Sequence, residues 1–260
     1  MKITFLGTGT SQGVPVIACP CAVCHSTDTR DKRLRTSALV TDSEGNNVLV
    51  DIGPDFRCQM LTHDVRHLEA ILITHAHRDH VGGIDDIRPL NWVQKSTMQV
   101  YGNSNALHTL QHDYGYIFED HIYPGLPEVT LHDVTDCVPF EVGLFTITPI
   151  RGMHKDLPVM GYRFDERGGK KMAYITDMNH IDDEEMVKIG GLDVLVINSL
   201  RQKKHFSHFC LPETLSIIER CRPGMAYLIH VSHEMGLHVE VERGLPENVH
   251  LAYDNLILNE

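Results

Sequence analysis

Basic residues are scarce in this chain. Lys and Arg number 23 against 35 Asp and Glu, a formal charge of −12. A protein whose main task is gripping nucleic acid needs a basic face, because neutralised phosphates supply most of that binding. The deficit argues against an extended nucleic-acid surface and leaves room for a local basic pocket. Long apolar runs are missing too. None approaches the ~20 residues that cross a bilayer, so no membrane partner is expected. Hydrophobic residues still make up 42%, enough for a buried core. The opening MKITFLGTGT reads as a strand and a turn, without the apolar stretch and cleavage site of a signal peptide, so a cytoplasmic location is expected. No repeat, low-complexity tract or long linker interrupts the 260 residues, and one domain spanning 1–260 is expected. The cysteines number seven, an odd count that does not suggest a disulfide framework.

What is present is a series of short apolar runs. Strands are expected at Lys2–Leu6, Asn47–Val50, Ala70–Thr74, Met98–Tyr101, Leu144–Pro149, Met172–Thr176, Val194–Asn198 and Ala226–Ile229. Helices are expected at Gly83–Gln94, Ala106–His112, Asp182–Ile189 and Pro212–Cys221. Strands mixed with helices give an α/β class. Five runs end on, or just before, a residue able to bind or support a metal: Asp51, His75, His154, Asp177 and His230. Strand ends in one sheet system can converge on one rim, where a rigid scaffold presents loop residues.

The segment His75-Ala76-His77-Arg78-Asp79-His80 packs four potential ligands into six residues. It follows an apolar strand and precedes Gly82-Gly83, which would let the backbone turn closely. A merely solvated polar loop is the competing reading, and it does not explain that context. H-x-H-x-D-H after such a strand resembles the signature of the metallo-β-lactamase superfamily, and the resemblance covers nearly the whole chain. It implies an αββα four-layer sandwich with metals at one edge. It also implies that His75, His77 and His154 hold one ion, that Asp79, His80 and His230 hold a second, and that Asp177 bridges both. Imidazole and carboxylate suit Zn, Mn or Fe, so ligand type leaves the metal open. Two such ions roughly 3.5–4 Å apart can share a hydroxide and stabilise charge on a phosphoryl or carbonyl oxygen. Asp51 either supports a ligand histidine from behind or caps the turn at Gly53-Pro54.

Cys19, Cys21 and Cys24 give three thiols in six residues, and a structural zinc site needs a fourth ligand. Spacing alone leaves His25, His233 and His238 open. FLGTGTSQGVP followed by C-x-C-x-x-C resembles the PhnP-type phosphodiesterases that cleave phosphoribosyl 1,2-cyclic phosphate. That resemblance implies His233 as the fourth ligand and a structural zinc. The competing reading is a set of free thiols, which oxidise readily when close together. Gly7-Thr8-Gly9-Thr10 lacks the Gly-Lys-Ser/Thr ending of a nucleotide loop and reads as a turn lining the site.

The stretch Arg201 to His208 is the most basic in an acidic chain. Lys203 and Lys204 read as solvated. The PhnP resemblance implies that His208 reaches the active site, as a phosphate contact or as an acid for the leaving oxygen, with His205 as a helper in substrate binding. Asp79 and His208 are thus the catalytic candidates. The expected function is hydrolysis of a small cyclic or diester phosphate by two divalent ions. The alternatives are a tRNA 3′-end endonuclease, a thioesterase or lactonase, and a metal-binding scaffold without turnover. A protruding basic arm, needed to hold tRNA, is absent. A homodimer is a family-level expectation only.

Overall fold

The structure is a computed structural model that describes residues 1–119 and 125–259. Residues 120–124 and 260, which fall within the expected single domain, lie outside the described residues.

Fourteen strands among the described residues form two sheets of seven. The first contains β1 (Lys2–Gly7), β2 (Ser37–Thr41), β3 (Asn47–Val50), β4 (Ala70–Leu72), β5 (Met98–Gly102), β6 (Val129–Asp133) and β14 (Ile257–Asn259), in the order β14-β1-β2-β3-β4-β5-β6. The second contains β7 (Phe140–Val142), β8 (Phe145–His154), β9 (Leu157–Glu166), β10 (Lys171–Ile175), β11 (Val194–Asn198), β12 (Met225–Ile229) and β13 (Val249–Leu251), in reverse numerical order. Both sheets are mixed. In the first, β3 to β6 run parallel; in the second, β10 to β13 do.

Parallel neighbours need long crossovers, usually helical, and these cover the outer faces. Helices α1 (Phe56–Thr62), α2 (Arg78–Val81), α3 (Arg88–Gln94), α4 (Ser104–Asp113) and α5 (Gly115–Phe118) connect the first sheet's strands. Phe56, Val81, Leu90 and Leu107 from four of them pack on Leu49, Ile71 and Val100 of that sheet. Helices α6 (Asp183–Met186), α7 (Leu211–Cys221) and α8 (His238–Arg243) cover the second, where Met186, Ile218 and Val241 join Leu195, Ile197 and Leu228. Between the sheets lies a third core, with Ile3, Phe5, Val48 and Leu72 facing Phe145, Tyr162, Phe164 and Val196. The result is the expected αββα sandwich.

Parallel strands also share a direction, so their carboxyl ends emerge on one edge. Asp51 follows β3, and the segment from His75 lies just beyond β4. In the second sheet Asp177 and His230 follow β10 and β12, and β8 ends on His154. Open α/β sheets bind ligands outside the carboxyl ends of their strands. Among the described residues no helix is long and apolar enough to cross a membrane.

Some expectations are corrected. The helix expected from Gly83 begins as a 3-10 turn, Ile84–Ile87, and becomes α-helical only at Arg88, where Pro89 suits a first turn. The helix expected over Asp182–Ile189 likewise divides into α6 and a 3-10 turn, Val187–Ile189. Gly82 and Gly83 have ordinary negative φ, −65° and −98°. Gly83 is required by crowding: a Cβ there would collide with the carbonyl oxygen of Gly53.

Candidate metal centre

The strand ends bring six of the seven expected ligands within a few ångströms of Asp177 or its partners. The loop after β4 turns into α2, and His77 serves as its N-terminal boundary residue. His75 and His80 are buried within this turn, Asp79 is partly exposed and His77 is exposed. The His80 Nε2 atom lies 3.1 Å from Asp79 Oδ2 and 3.4 Å from Asp177 Oδ2. His75 Nε2 lies 3.9 Å from the same Asp177 oxygen. On the second sheet, His230 Nδ1 is 2.9 Å from Asp177 Oδ1. His154 and His77 complete the ring of imidazoles, with centroids 5.2 Å apart.

Three combinations of donors converge within reach of one ion each: His75, His80 and Asp177; Asp79, Asp177 and His230; His154, Asp177 and His208. Asp177 belongs to all three. His77 belongs to none, although its ring lies 4.5 Å from that of His75. His208 was expected beside the ligands rather than among them. Its Nε2 lies 3.3 Å from Asp177 Oδ2, and its ring stands 4.5 Å from His154 and 5.0 Å from His230.

Each buried imidazole is aimed by a contact behind it. His80 Nδ1 donates to Asp51 Oδ2 at 2.7 Å. His154 Nδ1 donates to the Ser207 carbonyl at 2.9 Å, which turns its Nε2 toward the centre. His230 Nδ1 also lies 3.2 Å from the Thr36 hydroxyl, and Thr10 of the glycine-threonine turn stands 3.3 Å from His230 Nε2. Asp51 is fully buried and also accepts from the Thr74 amide at 2.8 Å and from the Thr74 hydroxyl. It therefore holds both the His80 ring and the end of the strand. Thr10, Thr36 and Ser207 escape sequence reasoning as second partners, because each meets its histidine across the fold.

Charge follows this arrangement. Burial pushes Asp51 upward, and the His80 ring beside it offsets only part of that. Burial alone would lower His80, but Asp177, Asp51 and Asp79 around it raise it well above the usual histidine range. His75 is driven well below it by burial and by the neighbouring His80 charge. Burial would raise Asp177, yet His230 and His80 hold it well below the usual carboxylate range. Burial brings His154 down to about 4, which favours the neutral, ligating form.

The cysteine cluster forms a second, separate group. His233 Nδ1 lies 3.2 Å from Cys19 Sγ and 3.3 Å from Cys21 Sγ, and the four donors including Cys24 all lie close together. His25 instead turns to the Cys21 carbonyl, and His238 packs against Arg33. The Cys24 amide and then His233 draw the Cys21 thiol down to about 6, while burial pushes Cys24 up to about 11. In the basic loop, the Ser207 hydroxyl stands 3.2 Å from His205 Nδ1 and 3.0 Å from His208 Nδ1. Lys203 and Lys204 are exposed, as expected.

The sequence model of the β-lactamase superfamily domain matches residues 46–231. The crystal structure of a diphosphatase from the PhnP family is 38% identical, with a TM-score of 0.90 over 99% of this chain and 96% of that one. The chain belongs to the metallo-β-lactamase superfamily and, within it, to the PhnP family. It is also 40% identical, over 98% of its length, to an octanoyltransferase of Porphyromonas gingivalis, of which it spans only about half, 51%. The short form of human tRNase Z shares the fold, at 18% identity and a TM-score of 0.73 over 100% of this chain and 99% of that one.

Proposed function

We propose that the chain is a single-domain, metal-dependent phosphodiesterase acting on a small cyclic or diester phosphate, phosphoribosyl 1,2-cyclic phosphate being one such substrate. The observation that carries this is Asp177, a fully buried carboxylate shared by three convergent donor sets from both sheets. The donor set also fits divalent cations on its own terms. His75 and His80 each keep a buried Nε2 without a hydrogen-bond partner, turned inward beside carboxylate oxygens. Such an atom is costly unless something coordinates it. His75, His77 and His154 would hold one ion and Asp79, His80 and His230 another, with Asp177 between them. A pair of divalent ions supplies a nucleophile at neutral pH and stabilises charge on a phosphoryl oxygen.

The chain's own residues do the rest. Asp51, Thr36 and the Ser207 carbonyl hold the imidazoles in line. His208, backed by the Ser207 hydroxyl, either contacts the phosphate or hands a proton to the leaving oxygen, and His205 behind it lines the approach. The PhnP-family relative, described as a diphosphatase, supports a phosphorylated substrate, and the net charge of −12 supports a small one, since it repels long polyanions. The octanoyltransferase likeness favours a second reading, an acyl ester or thioester, because the same centre suits attack at a carbonyl.

The test is a panel on metal-replete protein: bis(p-nitrophenyl) phosphate, a ribose cyclic phosphate, an octanoyl thioester and a lactone. Hydrolysis of the phosphates is expected to dominate. Turnover confined to the thioester or lactone would replace this reading with the second, and no turnover on any would leave a scaffold. His208→Ala should keep its metals and lose ~10²–10⁴-fold on the ribose substrate, the range for a missing general acid. An equal loss on the nitrophenyl ester, whose leaving group needs little protonation, would assign His208 to phosphate binding instead.

A further inference from the structure

The segment of residues 201–210, between β11 and α7, presents His205 and His208 without any helix or strand of its own. Its shape therefore has to come from other contacts. Backbone bonds close its base: the Leu200 amide donates to the Phe209 carbonyl at 3.0 Å and the Leu211 amide to the Arg201 carbonyl at 2.9 Å. Asn179 Nδ2 holds the Phe206 carbonyl at 3.0 Å, and Arg201 holds the two carbonyls at the tip before it. The Arg201 guanidinium donates from Nε to the Lys203 carbonyl at 3.1 Å and from Nη2 to the Lys204 carbonyl at 3.0 Å. Its remaining nitrogen, Nη1, pairs with the carboxylate of Glu234.

Glu234 follows His233, the histidine that faces the thiols. The two belong to one 3-10 turn, His233–Met235, capped by Ser232. Gln202 adds a second tie, donating from Nε2 to the Met235 carbonyl at 3.0 Å. The turn thus touches the cysteine cluster on one side and the histidine-bearing loop on the other.

We propose that Arg201 is a positioning residue that couples the cysteine site to the active site. By bracing the tip of the loop against the His233–Met235 turn, it makes the anchoring of His233 set where His205 and His208 stand. This rests on the reading that His208 serves the substrate. A planar guanidinium suits the task because its donors point in fixed directions, which a lysine ammonium cannot reproduce. Stability is not the issue. Arg201 and Glu234 are 27% and 53% exposed, and exposed pairs contribute little. The gain lies in geometry, where a misplacement of about 1 Å can cost ~10²-fold in rate.

The experiment uses full-length, metal-replete protein with Arg201→Lys, Glu234→Gln and Cys21→Ser, and reads two quantities. The first is trypsin cleavage after Lys203 and Lys204, followed by mass spectrometry. The second is turnover of a ribose cyclic phosphate, on which either role of His208 is felt, with and without His208→Ala in the same chain. All three variants should be cut several-fold faster at those lysines. Arg201→Lys should lose about 10-fold in turnover at unchanged catalytic-metal content, and that loss should vanish in the His208→Ala background, as expected when one residue acts through another. Unchanged cleavage in all three variants would overturn the coupling. So would Arg201→Lys and His208→Ala defects that simply multiply. If the wild type hydrolyses no phosphodiester, the proposed function falls, while the cleavage comparison still decides whether the cysteine site braces the loop.

Discussion

Asp51 lies behind His80 and is itself fully buried, which makes it the residue whose role is easiest to isolate. Asp51→Asn keeps an acceptor for the Thr74 amide but replaces the charged partner of His80 with a neutral one. Losing such a supporting carboxylate typically costs ~10–100-fold in metal affinity. That loss is expected in competition with a chromogenic chelator, and wild-type affinity would reduce Asp51 to a cap. At this scale the sequence was informative where ligands are close along the chain. His75, Asp79 and His80, which the fold gathers around Asp177, stand out by spacing, whereas His77, equally prominent in sequence, joins none of the convergent groups. Asp177 and His230 could be placed only with the help of strand ends. Backbone geometry was not legible at all: Asp51, Asp177 and His230 sit at φ of 62°, 58° and 55°, a left-handed conformation unusual outside glycine. Such positions cluster at functional sites because the surrounding structure over-determines them.

At the scale of elements, the loop after β3 and helix α2 approach so closely that neither tolerates a side chain between them. A Cβ on Gly53 would collide with the carbonyl oxygen of Asp79, and the Ile52 amide donates to the His80 carbonyl at 2.8 Å. Gly53→Ala should therefore push the ligand-bearing turn aside. Overpacking of this kind typically costs ~1–3 kcal/mol. A lower Tm is expected together with reduced catalytic-metal content. A fall in Tm with full metal occupancy would show that the strain is relieved elsewhere. Several elements were hidden from the apolar-run reading. Strand β2 is entirely buried, but its sequence SALVT begins and ends in hydroxyl residues. Strand β9 contains Pro158 and Gly161, which usually break strands, yet it pairs along its whole length with β8. Its register, not its composition, sustains it. Asn47–Val50 and Val194–Asn198 emerged with the expected bounds, since short runs buried on both faces are continuous in apolar character.

For the molecule as a whole, two separate donor groups lead to an expectation of three metal ions per chain, two at the Asp177 centre and one at the cysteine cluster. Elemental analysis should find one fewer in Cys21→Ser. Because ligand binding to the native state alone adds to its stability, that variant should also melt several degrees lower, at ~2–4 °C per kcal/mol for a chain of this size. Equal metal content in both proteins would remove the cysteine site. The sandwich itself was legible mainly through resemblance, because apolar runs give strands without saying which sheet they join.

The proposed donors come from both sheets: His75, His77, Asp79 and His80 from the first, His154, Asp177 and His230 from the second. This has a consequence in time. Neither half holds a full set before the sheets have docked face to face, so ions that need donors from both sheets are expected to bind only after the rate-limiting step of folding. Interactions absent from the transition state slow unfolding and leave the folding rate alone. Stopped-flow measurements with and without added zinc should show a slower unfolding limb and superimposable refolding limbs. Faster refolding with metal would mean that the donors gather early, before the halves meet.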